Sequence, residues 1–413
     1  MYRLPRTARP SQPPCLLKES LIGIPGEFVK LFWHLVAAPA LLLAFLAYAG
    51  TYLGRMSFVR YCGRAIYPNV FVLFVSPSHA EFIANRIAEE FFEPLGPINL
   101  ITAGLVNGLS LTYRLRDTYE RLERKTTEPG QNPELVPTLA YEAVSEKRAL
   151  VTQQIISAAS RNTTSAASLR HALIRLFDGE NLYQFNGLRE GVVTATNPHA
   201  SVAITCSPDE YPRIASDLLP LFLLSTSDPS SLTEKAAAMF GELKPSDHCA
   251  LFTVLGAFAD AMLAEGGEVV LTNAAQDYVS RELRASSLFI KKALKVGLIY
   301  ARCARSPIDL EHMRAAVATL RHSRQVETFL RQDGIDKRAM ARITEKTVRA
   351  LEDAPGGLSL TQIHRALRNH VKRDDLRAAL TALEHSGRVQ RIPTESWPEV
   401  WRAVRHPDGE GFD

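Results

Sequence analysis

The sequence predicts an α/β protein with helical segments on either side, and three observations carry that reading. A short apolar run, Asn69 to Val75 (NVFVLFV), is followed by the polar turn SPS and the amphipathic stretch HAEFIANRIAEEFFEPLG. Strand-like runs recur in ALVTQQI (149–155) and around Val202 to Thr205 in HASVAITCS. After SDPSSLTEK (227–235), nearly every stretch to Arg331 has helical periodicity, and a small basic module follows. Strands alternating with helices at this pitch imply a mainly parallel sheet with helices on both faces.

The bulk numbers bound what this fold can be. At 413 residues the chain is long enough for two or three domains, each with its own core. A hydrophobic content of 46% against 22% charged residues places it among ordinary globular chains. The net charge of +4 is too small to identify a nucleic-acid partner, so the distribution of charge matters more. Cys15, Cys62, Cys206, Cys249 and Cys303 are odd in number and far apart, with no Cys-x-x-Cys pair. They support neither a disulfide framework nor a zinc site, and fit a reducing cytoplasm.

In chain order, residues 1–19 form a flexible arm. The opening MYRLPRTARPSQPP is basic and proline-rich with no apolar stretch behind it, unlike a secretory signal. Residues 20–68 read as a helical lead-in, two helices broken near Pro39. Between Lys30 and Arg55 no residue is charged, and such a run reaches the roughly 20 residues that span a bilayer. Pro39 and Gly50 interrupt it, however, His34 and Thr51 sit within it, and no second run follows. The spacing of Leu35, Leu42, Phe45 and Leu46 suits a helix buried in protein, so no membrane partner is expected. Residues 69–230 form the α/β core, with a polar loop at 126–138, and residues 231–332 an α-helical region.

Residues 333–405 carry the clearest functional signal. TEKTVRALEDA is amphipathic, GGLSL supplies a turn and short strand, and Ser359 or Thr361 caps TQIHRALRNH. A tight turn leads into RDDLRAALTALEHSG, where Asp374 and Asp375 lie in the first turn and Gly387 terminates the helix. RVQRIP reads as a strand, and residues 406–413 as a tail. Helix, strand, helix, turn, helix, strand is the order of a winged helix-turn-helix. From Lys337 to Arg405, fourteen Lys and Arg face eight Asp and Glu, so the rest of the chain is slightly acidic. Arg365, Arg368, Lys372, Arg373 and Arg377 flank the turn and the third helix, while Arg388 and Arg391 lie on the wing. In winged helices those positions meet phosphates and base edges, so double-stranded DNA is the expected partner. The histidines His364, His370 and His385 have no metal-ligand spacing and read as satisfied side chains.

The order of segments resembles the domain-of-unknown-function family 3987, the primase-helicase-like P-loop ATPases of phages, plasmids and integrated elements. The likeness covers roughly Leu21 to Ile392. It is carried by LIGIPGEFVKLFWHLVAAPALLLAFLAYAGTYLGR, YPNVFVLFVSPS, AGLVNGLSLTYRLRD, EKRALVTQQI and FIKKALKVGLIYARCARSPIDLEHMRAAVATL. It implies a RecA-like core, with EKRALVTQQI as the Walker B strand. Three departures stand out. The phosphate loop needs glycines and a lysine, but the corresponding turn runs Ser76, Pro77, Ser78, His79, Ala80, Glu81. Pro77 removes an N–H donor and Glu81 repels phosphate. The family's metal-holding acids at the end of the Walker B strand are replaced by neutral Thr152, Gln153 and Gln154. An acidic residue of the family's glycine stretch is also missing at Gly108, Leu109, Ser110.

The core is therefore a degenerate P-loop, with Ser76, Pro77, Ser78, Gln153 and Gln154 marking a spent nucleotide site, and no cofactor is expected. The expectation is a non-catalytic, cytoplasmic DNA-binding protein of a mobile element. It would act as a subunit or accessory factor in replication, transposition or defence, with a protein partner or as a homo-oligomer. A divergent but active DNA-stimulated ATPase or helicase, and an adaptor using its winged helix for protein contacts, are the alternatives. No Gly-x-Ser-x-Gly, His-Glu-x-x-His or Gly-x-Gly-x-x-Gly after a strand points to other chemistry.

Overall fold

Two helices, α1 (Gly23–Phe32) and α2 (Ala38–Leu53), open the chain, and Pro39 sits in the first turn of the second. A proline costs nothing there because that N–H has no partner within the helix. Every residue from Leu41 to Ala47 is fully buried. A helix apolar on all sides must be covered on all sides, and α2 is. Among the described residues, no helix is long and apolar enough to cross a membrane.

The computed structural model describes residues 13–75, 80–96, 98–117, 119–125, 134–141, 148–153, 155, 159, 163–185, 192–226, 245–263, 266–283, 286–367, 371, 373–392 and 400–404. These fall in two compact units, Met1–Phe329 and Leu330–Asp413.

In the first unit the lead-in is not helical throughout. Residues expected to continue the helices form a hairpin of β1 (Ser57–Tyr61) and β2 (Arg64–Ile66). Cys62 and Gly63 at its tip have φ of 49° and 75°, the paired left-handed conformation that joins two twisted strands with two residues.

The core follows as β3 (Phe71–Val75), α3 (Ala80–Phe92), β4 (Asn99–Ile101), α4 (Gly108–Arg114), β5 (Tyr119–Lys125) and β6 (Glu134–Tyr141). It continues through β7 (Arg148–Val151), α5 (Thr164–Asp178), β8 (Leu182–Phe185), β9 (Val192–Ala195), β10 (His199–Cys206) and β11 (Leu223–Thr226). Five of these strands make one parallel sheet in the order β11-β3-β10-β7-β4. The strands β5 and β6 pair as a separate hairpin, so the polar segment expected at 126–138 is strand from Glu134 onward.

All five residues of β3 are buried because both faces of the sheet are covered. Val72 and Phe74 join the cluster around α2, together with Leu150, Ala203 and Leu223 from neighbouring strands. Phe71 points the other way, with its ring 5.3 Å from Phe177 of α5 and 5.7 Å from Phe222. Helices α6 (Pro245–Leu263), α7 (Asn273–Asp277), α8 (Ser287–Cys303) and the first part of α9 (Leu310–Glu352) complete the unit. Between them, β12 (Gly267–Glu268) pairs with β1.

Polar ties hold the layers in register. Gly50 of α2 lies so close to Pro68 that an added Cβ would stand 2.2 Å from its carbonyl oxygen. His199, at the start of β10, donates its Nε2 proton to the Gly50 carbonyl at 2.8 Å. Arg148, at the start of β7, donates to the Tyr52 carbonyl at 2.8 Å. The Gly50 carbonyl, which also accepts from Gly54 N–H, and the Tyr52 carbonyl at the end of α2 thus meet the amino ends of two strands.

A second tie is charged. The end of α5 closes at Gly179, with Gly179 N–H bonded to Leu176 and Glu180 N–H to Arg175. Buried Lys295 of α8 donates to the Phe177 carbonyl at 2.7 Å and to Asn69 Oδ1, with its ammonium 4.4 Å from the Phe177 ring centre. Asn69 in turn donates to Leu176, and Arg55 donates to the Gly179 carbonyl at 2.8 Å. Burial, reinforced by nearby Lys291, drives the Lys295 ammonium well below the usual lysine range. The negative end of α5 and the two carbonyl-type acceptors offset that cost.

The second unit builds a smaller core from Val348, Leu351, Ile363, Leu376, Leu380, Leu383, Val389 and Trp401. The end of α9 is followed by β13 (Leu358–Ser359), α10 (Leu360–Ala366), α11 (Arg373–His385), β14 (Val389–Ile392) and β15 (Val400–Ala403). The three strands form an antiparallel sheet in the order β13-β15-β14. Ser359 caps α10 reciprocally with Gln362. At the end of α11, Gly387 takes φ 70°, with Gly387 N–H bonded to Glu384 and Arg388 N–H to Leu383.

Two outcomes follow from these ties. Replacing Lys295 by Met keeps the stem and deletes the donors, leaving Asn69 Oδ1 and the Phe177 carbonyl short of a partner; urea unfolding should lose about 2–4 kcal/mol. A variant as stable as the parent would show that the ammonium contributes nothing. Burial pushes the His199 imidazole from 6.5 down to about 3, so the unfolded chain takes up the proton first. Its contribution is complete above pH 6.5 and is lost as pH falls toward 3, at roughly 1.4 kcal/mol per pH unit. Urea midpoints across that range should fall with acid, and less steeply for His199→Gln.

Candidate functional site

Two regions hold the residues that the sequence singles out. The first is the carboxyl edge of the parallel sheet, where open α/β sheets bind ligands. Ser76, Pro77 and Ser78, which follow β3, lie outside the described residues, as does Gln154. The neighbouring geometry is defined. Thr226, the last residue of β11, donates its hydroxyl to the Val75 carbonyl at 2.7 Å, closing the end of β3 from the side.

Gln153 follows β7, and its amide is fully engaged with backbone. Its Oε1 accepts from Leu105 N–H at 2.8 Å, and its Nε2 donates to the Leu105 carbonyl at 3.2 Å. Thr152 and Gln153 also donate their backbone N–H groups to the Ile101 carbonyl at 3.1 and 3.2 Å. The side chain thus holds the segment between β4 and α4 against the end of β7. A carboxylate could accept from Leu105 N–H but would face the Leu105 carbonyl with no proton to give.

The segment it holds is itself closely packed. Asn107 and Ser110 cap α4 reciprocally, and Gly108 N–H bonds Ser168 Oγ at 3.2 Å. An added Cβ at Gly108 would come within 2.5 Å of the Ser168 carbonyl, so α4 and α5 touch through backbone. Gly108 and Ser110 are therefore packing and capping residues. Sequence reading missed one acidic group nearby. Glu210, after β10, accepts from Ser207 N–H at 3.0 Å while Ser207 Oγ accepts from Glu210 N–H. The pattern Ser-x-x-Glu was the signal for it. Among the described residues, no group of three His, Cys, Asp or Glu side chains could hold a metal ion.

The second region is the Leu330–Asp413 unit. Of its seven predicted cations, Arg368 and Lys372 lie outside the described residues. Arg365 on α10, Arg373 and Arg377 on α11, Arg388 after the turn at Gly387 and Arg391 on β14 are all exposed. Arg373 and Arg377 are one turn apart and so share a face of α11. His364 of α10 donates Nε2 to the Val371 carbonyl at 2.8 Å, fixing the turn that presents α11. Arg391 stacks 5.7 Å from the Trp401 ring centre.

Arg402 is the cation that sequence reading missed. It lies exposed on β15, in register with Gln390 of β14. The signal was the alternation Val400, Trp401, Arg402, Ala403, which marks a second strand after β14.

No protein-family model matches the chain, and no curated protein matches it.

The Gln153 geometry has a direct test. Gln153→Leu deletes both bonds to Leu105 and leaves a half-buried N–H and carbonyl short of partners, at an expected cost of about 1–3 kcal/mol in chemical unfolding. Unchanged stability would mean that this side chain does not hold the loop.

Proposed function

We propose that this chain is a non-catalytic DNA-binding protein, with a pseudo-ATPase core and a C-terminal winged helix-turn-helix that contacts double-stranded DNA. The observation that carries the reading is the form of the second unit. Helix α10, a turn closed by His364 and helix α11 are followed by the antiparallel pair β14 and β15. Five arginines stand exposed on those parts. In a winged helix-turn-helix, α11 is the element that enters the major groove and the β14–β15 hairpin is the wing. Arg373 and Arg377 then meet the groove or its phosphates, and Arg388, Arg391 and Arg402 meet the flanking backbone.

The pseudo-ATPase half rests on the core. With β3 as the first strand of the parallel sheet, the order is 5-1-4-3-2, which is that of RecA-like nucleotide-binding cores and differs from the doubly wound dinucleotide and flavin folds. In that layout β7 is the strand that carries metal-holding acids, and its end bears Thr152 and Gln153 instead. Gln153 is committed to the Leu105 backbone. Phosphoryl transfer depends on the electrostatic stabilisation that these missing groups provide. The likeness to family 3987 supports a place in the replication, transposition or defence machinery of a mobile element, as a subunit or accessory factor.

Fluorescence anisotropy with a double-stranded oligonucleotide tests the reading. About five phosphate contacts predict that affinity falls roughly 10²–10³-fold between 50 and 200 mM salt. The double variant Arg373→Glu, Arg377→Glu should abolish binding, and unchanged affinity would remove α11 as the contact. A chain that ignores DNA even at low salt would be a protein adaptor instead. Magnesium-dependent ATP turnover stimulated by DNA would overturn the non-catalytic half.

A further inference from the structure

One cavity in the first unit has a character unrelated to the carboxyl edge of the sheet or to DNA. It is a groove of about 560 Å³ between α2, α3 and β4. It is lined by Tyr48, Tyr52, Ile98 and Leu100 and by three acidic residues, Glu89 and Glu90 of α3 and Glu93 of the 3-10 turn that follows it. Arg86 pairs with Glu90 at 2.9 Å and lies 3.8 Å from Glu89, so one positive charge answers three negative ones.

Tyr48 adds an independent observation. It is only 2% exposed, and its ring stacks on Phe92. Its hydroxyl reaches the groove but meets no hydrogen-bond partner among the described residues. Tyr52 beside it differs, donating its hydroxyl to the Phe92 and Gly96 carbonyls. Burial and the charge of Glu89 hold the Tyr48 hydroxyl protonated at every ordinary pH. A neutral hydroxyl on the groove without a protein partner can both donate to and accept from a ligand there.

We propose that this groove binds a linear polyamine, with one ammonium held between Glu89 and Tyr48, the next against Glu93, and the aliphatic stem over Ile98 and Leu100. A metal ion fits less well. Glu89 and Glu90 are already engaged with the Arg86 guanidinium, and among the described residues no group of three His, Cys, Asp or Glu side chains could hold a metal ion. Glu89 and Glu93 are one turn apart, which sets their side chains about 5–6 Å from each other at the base. A short aliphatic spacer separates two ammonium groups by a comparable length. The cavity volume lies within the usual range for small-molecule sites.

Calorimetric titration of spermidine into the full chain, freed of nucleic acid, tests this. The expected result is saturable binding of one equivalent. Glu89→Gln with Glu93→Gln should weaken it at least tenfold, and Tyr48→Phe several-fold. Both glutamates are solvent-facing, so that variant folds, and circular dichroism checks it. Magnesium chloride at matched ionic strength should compete poorly. No saturable heat, equal affinity in the double variant, or displacement by magnesium as effective as by spermidine would each overturn the proposal.

Discussion

A helix without a polar face is the constraint from which the first unit is built. Between Leu41 and Ala47, α2 offers water nothing on any side, so α1, α3, α8 and the sheet must all close on it. At about 1.5–3 kcal/mol for each large apolar side chain buried, the four leucines and Phe45 in this run contribute on the order of 10 kcal/mol to the drive to fold. That drive is not directional. Direction comes from the end of the helix, where the Gly50 and Tyr52 carbonyls accept from His199 and Arg148 at the starts of β10 and β7. The absence of a side chain at Gly50 lets the segment before β3 approach within contact distance. Apolar burial thus gathers the layers, and three polar details decide their register.

The end of α5 works in the same way on the opposite face. Lys295, Asn69 and Arg55 arrive from α8, from the entry to β3 and from the end of the lead-in, and all three donate to its last carbonyls. Burying a cation is costly, and the usual remedy is a carboxylate partner. Here the partner is a helix terminus with its partial negative charge, helped by an amide oxygen and an aromatic face. The arrangement fails as a whole if any one element shifts, which is how a diffuse electrostatic attraction becomes a precise constraint on position.

Much of this was legible, and the reasons for the rest are physical. The run Phe71–Val75 announced a strand buried on both sides, and the apolar segment within the lead-in announced a helix enclosed by protein, because both patterns follow directly from burial. The capping residues Ser359 and Gly387 were readable because their roles are local. The β1–β2 hairpin was not, since its turn uses Cys62 at positive φ, a residue type with no preference for that conformation. Lys295 was invisible for the opposite reason. On an amphipathic helix a lysine is expected in water, and nothing in its neighbours tells that a helix end 118 positions away will receive it. Of the candidate sites, the exposed arginines could be named from sequence because exposure needs no partner. The commitment of Gln153 to Leu105, 48 residues distant, required the fold.

The two proposed roles of the chain draw on opposite uses of charge, and stability separates them. Neutral residues at the end of β7 cost folding nothing; a carboxylate there would lack the bond that Gln153 gives the Leu105 carbonyl. An amide rather than a carboxylate at Gln153 is therefore accounted for by packing as well. The C-terminal arginines have no such explanation. From Lys337 to Arg405 the surplus is six positive charges in a unit with a modest apolar core, and like charges so close together oppose folding. Among the described residues, Arg349 pairs with Glu345 and Arg391 lies against the Trp401 ring. A surface that spends stability on repulsion is accounted for by a partner that removes it, and a polyanion removes it most completely. The proposed DNA contact draws on that positive surplus, while the proposed polyamine site draws on the acidic residues in and just after α3, so the two proposals use charge of opposite sign.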